Sequence, residues 1–179
     1  MKRLTCAVAA LLLMLAAVAS SGAFAGSTAG ADRTTGGGHS YGFERFLQRY
    51  EAANTAFVNG DPRPWLSIVA EKDPQSIFGG FGGRGESGAA EVHQRYLLAA
   101  NAFRPSGADV DFEYLVKDVR GKLAYTVAIE RSEVLYAGQT ERRPQVLRST
   151  MIFRFEHGAW KIVHRHADDM IDLELPGSD

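Results

Sequence analysis

Between Arg148 and Asp168 the chain alternates apolar and polar side chains on both sides of one tight turn, His157-Gly158. Ser149, Met151, Phe153 and Phe155 share one parity before the turn; Trp160, Ile162, His164 and His166 share one after it. Period-two alternation across a two-residue turn specifies a β-hairpin with one face against a core. The same pattern precedes it. Val110, Phe112, Tyr114 and Val116 line one face of a strand, and after a turn at Arg120-Gly121, Tyr125, Val127 and Ile129 line one face of the next. These runs predict an antiparallel meander of four strands whose apolar parity looks inward. Arg148, Thr150, Arg154, Lys161 and Arg165 then fall on the outer face, opposite acids such as Glu130, as a solvated or dimer-forming surface.

Upstream the period changes. Phe43, Phe46, Leu47, Tyr50, Ala53 and Phe57 recur at three- and four-residue spacing, which predicts a helix ending near Gly60. Asp61 and Pro62 open a short second helix carrying Trp65, Leu66, Ile68 and Val69. Ser76-Ile77-Phe78 reads as a brief extended segment before the glycine run Gly79 to Gly85. A third helix over about residues 87–103 carries Val92, Tyr96, Ala99, Ala100 and Phe103 and stops at Arg104-Pro105. Helices first and an antiparallel sheet afterwards is an α+β order, with the helices covering one side of a curved sheet.

The first residues read as a leader: Lys2 and Arg3, an apolar run from Leu4 to Val18, and Ala23-Phe24-Ala25 as a cleavage site. The expected organisation is a secretory signal peptide over 1–25, a flexible Gly/Ser/Thr-rich tether over 26–40, a folded domain over 41–172 and an acidic tail over 173–179. The protein is then exported, periplasmic or secreted, with cleavage near Ala25. The apolar run is shorter than the ~20 residues that span a bilayer, so no integral membrane segment is expected. The full chain has 20 basic and 21 acidic side chains; loss of Lys2 and Arg3 leaves 18 basic and a formal charge of −3. That disfavours nucleic acid as a partner. The one cysteine, Cys6, lies in the leader, so a mature chain has no thiol and must be stabilised by its core.

Trp160-Lys161-Ile162-Val163-His164-Arg165-His166-Ala167-Asp168, with Phe78-Gly79-Gly80, Tyr125 to Arg131 and Leu147-Arg148-Ser149-Thr150, resembles the SnoaL-like, nuclear transport factor 2-like superfamily. The resemblance covers about Tyr41 to Met170. It implies a ketosteroid isomerase-like, cystatin-like roll, cone-shaped, in which a curved sheet wraps a long N-terminal helix around a pocket, and a homodimer formed through the sheet. Two members differ from this chain where it matters. The aspartate that serves ketosteroid isomerase as general base corresponds to Phe78-Gly79, with no carboxylate. The pocket arginines of the calcium/calmodulin-dependent kinase association domain, which shares the W-x-x-V-H-x-H pattern, correspond to Val127 and Met151. That correspondence places both residues facing inward.

Fold does not imply function, so activity is sought in the residues. His164 and His166, two apart on one strand, point the same way about 6 to 7 Å apart. They suit proton transfer, with Tyr125 to polarise an oxygen, or a structural role at a pocket wall. As zinc ligands they would need Asp168 or His93 as a third, and no metal site is assigned. Gly80-Phe81-Gly82-Gly83-Arg84-Gly85 is a literal G-x-G-x-x-G, but no βαβ unit surrounds it, so it reads as a pocket lip and no cofactor is expected. No Ser sits in a nucleophile elbow. The expected pocket is mostly apolar and draws on Tyr50, Trp65, Phe78, Tyr96, Tyr125, Val127, Ser149, Met151, Phe153, His164 and His166. It would take a small apolar or aromatic molecule. An isomerase, dehydratase or cyclase using His164 or His166, and an accessory dimer with a vestigial pocket, are the alternatives.

Overall fold

The computed structural model describes residues 33–170, with side chains from Gly42 onward. The expected leader, residues 26–32 of the tether and the acidic tail lie outside the described residues. Helix α1 runs Arg33–Val58, so its first turns fall within the stretch read as a tether. Short α2 is Arg63–Ile68, β1 Ser76–Phe78, β2 Glu86–Ser87 and α3 Ala89–Ala100. Then come β3 Phe103–Arg104, β4 Val110–Arg120, β5 Leu123–Tyr136, β6 Arg143–Glu156 and β7 Ala159–Asp169.

The stripe on α1 is buried along its whole length, from Phe43 at 0% exposure to Phe57 at 9%. Gly60 ends this segment at φ +85°, a conformation that suits glycine, with the space for a side chain closed by the Phe103 carbonyl 3.2 Å from where a Cβ would sit. Phe153, reaching in from β6, meets Phe43 and Phe46 at 5.3 Å and Tyr50 at 5.6 Å, all near edge-to-face. Each such ring contributes roughly 1.5–3 kcal/mol by burial, plus about 1 kcal/mol for ring geometry. This aromatic seam holds α1 in the hollow of the sheet.

The seven-stranded sheet runs β2-β1-β7-β6-β5-β3, with β4 also on β5. The meander β4 to β7 is antiparallel as expected. β1, however, pairs parallel to β7, Ser76 beside His164 and Phe78 beside His166. The third helix stops three residues earlier than its stripe suggests, because Phe103-Arg104 leaves it to pair with Tyr136 and Leu135. The glycine run joins two antiparallel strands, β1 and β2, and so stands in no strand-to-helix turn.

Facing is where the structure corrects the sequence reading. On β5 the inward residues are Ala124, Thr126, Ala128 and Glu130, each at most 4% exposed, while Tyr125 is 39% exposed. Large α1 aromatics occupy the hollow, so small β5 side chains fit there and the bulky parity Tyr125, Val127, Ile129 turns out. On β7, Trp160 and Ile162 point inward, but Ile152 pairs with His164 and Phe153 with Ile162, leaving Val163 as an extra residue. This bulge reverses the parity beyond it. Arg165 and Ala167 are buried, and His164 and His166 look outward. A second bulge at Leu115 similarly turns Val116 out of the line of Val110, Phe112 and Tyr114. Met151 faces inward as the resemblance implied; Val127 does not.

Candidate functional site

At the open end of the hollow, α1, α3 and the sheet leave a cavity of about 50 Å3. Phe57, Val58, Ala99, Phe103, Val110 and Leu147 make most of its wall apolar. Gly79, Gly80 and Phe81 close one side as a lip. The polar groups are Asn54 from α1, Arg95 and Tyr96 from α3, Glu130 and Ser132 from β5, Gln145 from β6 and Arg165 from β7. At roughly 10–15 Å3 per water, the space holds about three to five waters and is well below the ~150 Å3 that admits benzene.

Glu130 and Arg165 form the polar floor. Arg165 donates from Nη1 to Oε1 at 2.8 Å and from Nη2 to Oε2 at 2.7 Å. The Tyr50 hydroxyl donates to Oε1 at 3.1 Å and Asn54 Nδ2 to Oε2 at 3.2 Å. Trp65 lies under the guanidinium at 5.6 Å, a cation–π contact. Burial pushes the Glu130 carboxyl up, but the Arg165 guanidinium and the surrounding donors outweigh it and hold the group below its ordinary range. Burial likewise disfavours the Arg165 charge, and Glu130 more than restores it. With four donors on its two oxygens, Glu130 is a poor proton acceptor. Its chemistry is to fix Arg165, Tyr50 and Asn54 in place.

α3 brings a different pair. The Tyr96 side chain is 3% exposed, and its hydroxyl has no hydrogen-bond partner. Burial raises this phenol to about 12; the Arg165 charge eases that first, and then the Trp65 indole, packed edge-on at 5.6 Å without reaching hydrogen-bond geometry. Arg95 Nη2 donates to the Gly82 carbonyl of the lip. Its Nε is buried without a hydrogen-bond partner, 3.8 Å from the Glu86 carboxylate. The lip is shaped around it: a Cβ on Gly79 would sit 3.1 Å from Arg95 Nε.

Of the residues expected in the pocket, only Tyr96 lines this cavity. Tyr50 reaches it indirectly through Glu130. Trp65, Met151 and Phe153 are core, and Ser149 is buried beside the Ala128 carbonyl, which its hydroxyl reaches at 3.4 Å. Phe78, Tyr125, Val127, His164 and His166 belong to the other side of the sheet. There the Ser76 hydroxyl and His164 Nδ1 are 2.7 Å apart, and Phe78 packs against both histidine rings at 6.0 and 5.2 Å. Burial, then the His166 charge, lowers His164, with Ser76 opposing. Among the described residues no three His, Cys, Asp or Glu side chains converge as a metal site. Asn54, Arg95, Glu130, Gln145 and Arg165 line the cavity without being among the residues expected in a pocket. Asn54 left a trace, a polar residue on the apolar α1 stripe.

Many solved structures share this architecture. A nuclear transport factor 2-like superfamily protein from Salmonella enterica serovar Typhimurium is 14% identical, with a TM-score of 0.58 over 82% of this chain and 98% of its own. The chain has the nuclear transport factor 2-like fold. A ketosteroid isomerase-like protein from Erwinia carotovora atroseptica is 14% identical, TM-score 0.57, over 70% of this chain and 94% of its own. A protein with a cystatin-like fold from Caulobacter vibrioides is 13% identical, TM-score 0.54, over 74% and 89%. No family model and no curated protein matches the chain. At these identities the likeness is one of fold: an α+β cone, as expected. No helix of the described residues is long and apolar enough to cross a membrane.

Proposed function

We propose that the chain is an exported domain that binds a small organic molecule in the cavity between α1, α3 and the concave side of the sheet. The carrying observation is a largely apolar wall two of whose residues, Tyr96 and Arg95, each bring a buried polar atom with no hydrogen-bond partner, the hydroxyl and Nε. Buried polar groups are ordinarily hydrogen-bonded, and leaving one unmet costs about 1–3 kcal/mol. A ligand that meets them recovers that cost, which is the usual design of a small-molecule site. The catalytic alternative draws on the ketosteroid isomerase-like neighbour, but His164 and His166 face away from this cavity and Glu130 is saturated with donors, so binding is the better supported reading.

Thermal-shift screening of the folded protein tests it, since binding to the native state raises the melting temperature. Hits should disappear in Ala99→Phe, which fills the cavity while far-UV circular dichroism stays unchanged. Hits that persist in that variant would contradict the assignment.

The outer face supports a homodimer. By register Val116, Val127, Thr150, His166 and Phe78 form one row across the strands, and Tyr125, Ile152 and His164 another. Val116, Tyr125, Ile152 and Phe78 are 37–47% exposed. Contiguous exposed apolar surface of this kind marks an interface, and a second copy offers a matching patch under two-fold symmetry. Export rests on the leader composition; the first residue of the secreted protein, expected to be Gly26, is read by intact-mass measurement.

A further inference from the structure

The cavity wall carries unbalanced charge. It holds two guanidinium groups, Arg95 and Arg165, and one carboxylate, Glu130. Arg165 commits both terminal nitrogens to Glu130. Arg95 is ion-paired loosely with Glu86, which is not among the residues of the cavity wall and whose Oε2 is 3.8 Å from Nε, beyond hydrogen-bond length. Both of those atoms are buried and without hydrogen-bond partners. Nη2 donates to the Gly82 carbonyl, and the Arg95 side chain is only 15% exposed, so water does little to satisfy the N–H donors that remain. One residue along α3, Tyr96 adds its own unpartnered buried hydroxyl to the same wall.

We infer that the cavity takes a short-chain carboxylic acid, its carboxylate on Arg95 and a second oxygen on the Tyr96 hydroxyl. This rests on the small-molecule reading above and names the ligand class for that site. A guanidinium fork matches a carboxylate in plane and charge, and the resulting bonds are about twice as strong as neutral ones. A monoanion balances the one surplus cation; a dianion such as phosphate would bring a charge the wall does not match. A neutral ligand would leave the Arg95 charge with the Glu86 ion pair alone. The volume limits the acid to a few heavy atoms, smaller than a benzene ring.

The test titrates the protein with propionate, lactate and pyruvate, and with propionamide and lactamide as neutral isosteres, following amide chemical shifts. Acids should bind about tenfold or more tightly than their amides. Arg95→Gln should lose about tenfold or more of acid affinity, with Arg95→Lys, which keeps the charge without the fork, intermediate. Tyr96→Phe should weaken lactate and pyruvate and spare propionate. Glu86→Gln, which removes the competing carboxylate, should tighten all three acids. Equal binding of acids and amides, or acid affinity unchanged in Arg95→Gln, overturns the carboxylate assignment and leaves the small-molecule reading standing. Acid binding that survives Ala99→Phe overturns the assignment by placing the acids elsewhere. If no acid binds the folded protein the inference fails, and the small-molecule reading falls with it only when the wider screen is also empty.

Discussion

Arg165 grips the carboxylate of Glu130 with both terminal nitrogens, at 2.8 and 2.7 Å, inside a core where neither residue is more than 8% exposed. Buried pairs are often no better than apolar replacements, yet removing one member strands the other's charge. Glu130→Ala and Arg165→Met should each destabilise the fold by about 3–5 kcal/mol in urea unfolding. The double variant Glu130→Ala/Arg165→Met should cost clearly less than the two single losses added together.

The same pair shapes the acid limb of stability. The Glu130 pKa is lower folded than unfolded, so its contribution is full above the unfolded carboxylate value and is lost as pH falls through the lowered one. His164 is also lowered when folded, from 6.5, by burial first and then by His166. Its contribution is therefore full above about pH 6.5 and declines as pH drops through its folded value. Urea midpoints measured between pH 7 and 5 should fall in the wild type and fall less in His164→Asn. Equal slopes would contradict the assignment.

Tyr125→Asp and Ile152→Asp place a charge in the outer patch, far from the α1 seam. Light scattering after gel filtration should show a dimer for the wild type and a monomer for either variant, with unchanged circular dichroism. A wild-type monomer would remove the interface.

In the aromatic seam, Phe153→Ala should cost about 3–5 kcal/mol, because three rings lose their shared neighbour and α1 cannot collapse into the gap. A loss below about 1 kcal/mol would mean that the helix is held elsewhere.

The α1 stripe was legible because a 3.6-residue period leaves one apolar face: Phe43 to Phe57 are buried as read. The strands were legible as strands, but not always by face. On β6 one parity is plainly larger and more apolar, and Met151 and Phe153 are buried accordingly. On β5, Tyr125-Val127-Ile129 looked like the core parity, yet the space left by Phe43, Phe46 and Tyr50 suits Ala124, Thr126 and Ala128. Nothing in Ile162-Val163-His164 announces a bulge, and one extra residue there exchanges the histidines for Arg165. Glu130 and Arg165 were recognisable as opposite charges on the sheet. Arg165 is buried through the β7 bulge and Glu130 through the inward parity of Ala124, Thr126 and Ala128 on β5, so the polar floor of the site stayed hidden.

The central claim is that ligands enter the cavity behind the glycine lip. Amide chemical-shift mapping with the strongest screening hit tests it most directly. The account predicts perturbations gathered on Asn54, Gly80, Tyr96, Glu130 and Gln145, with Tyr125 and His164 undisturbed. Perturbations centred on Tyr125, Ile152 and His164, with the cavity residues silent, would contradict it.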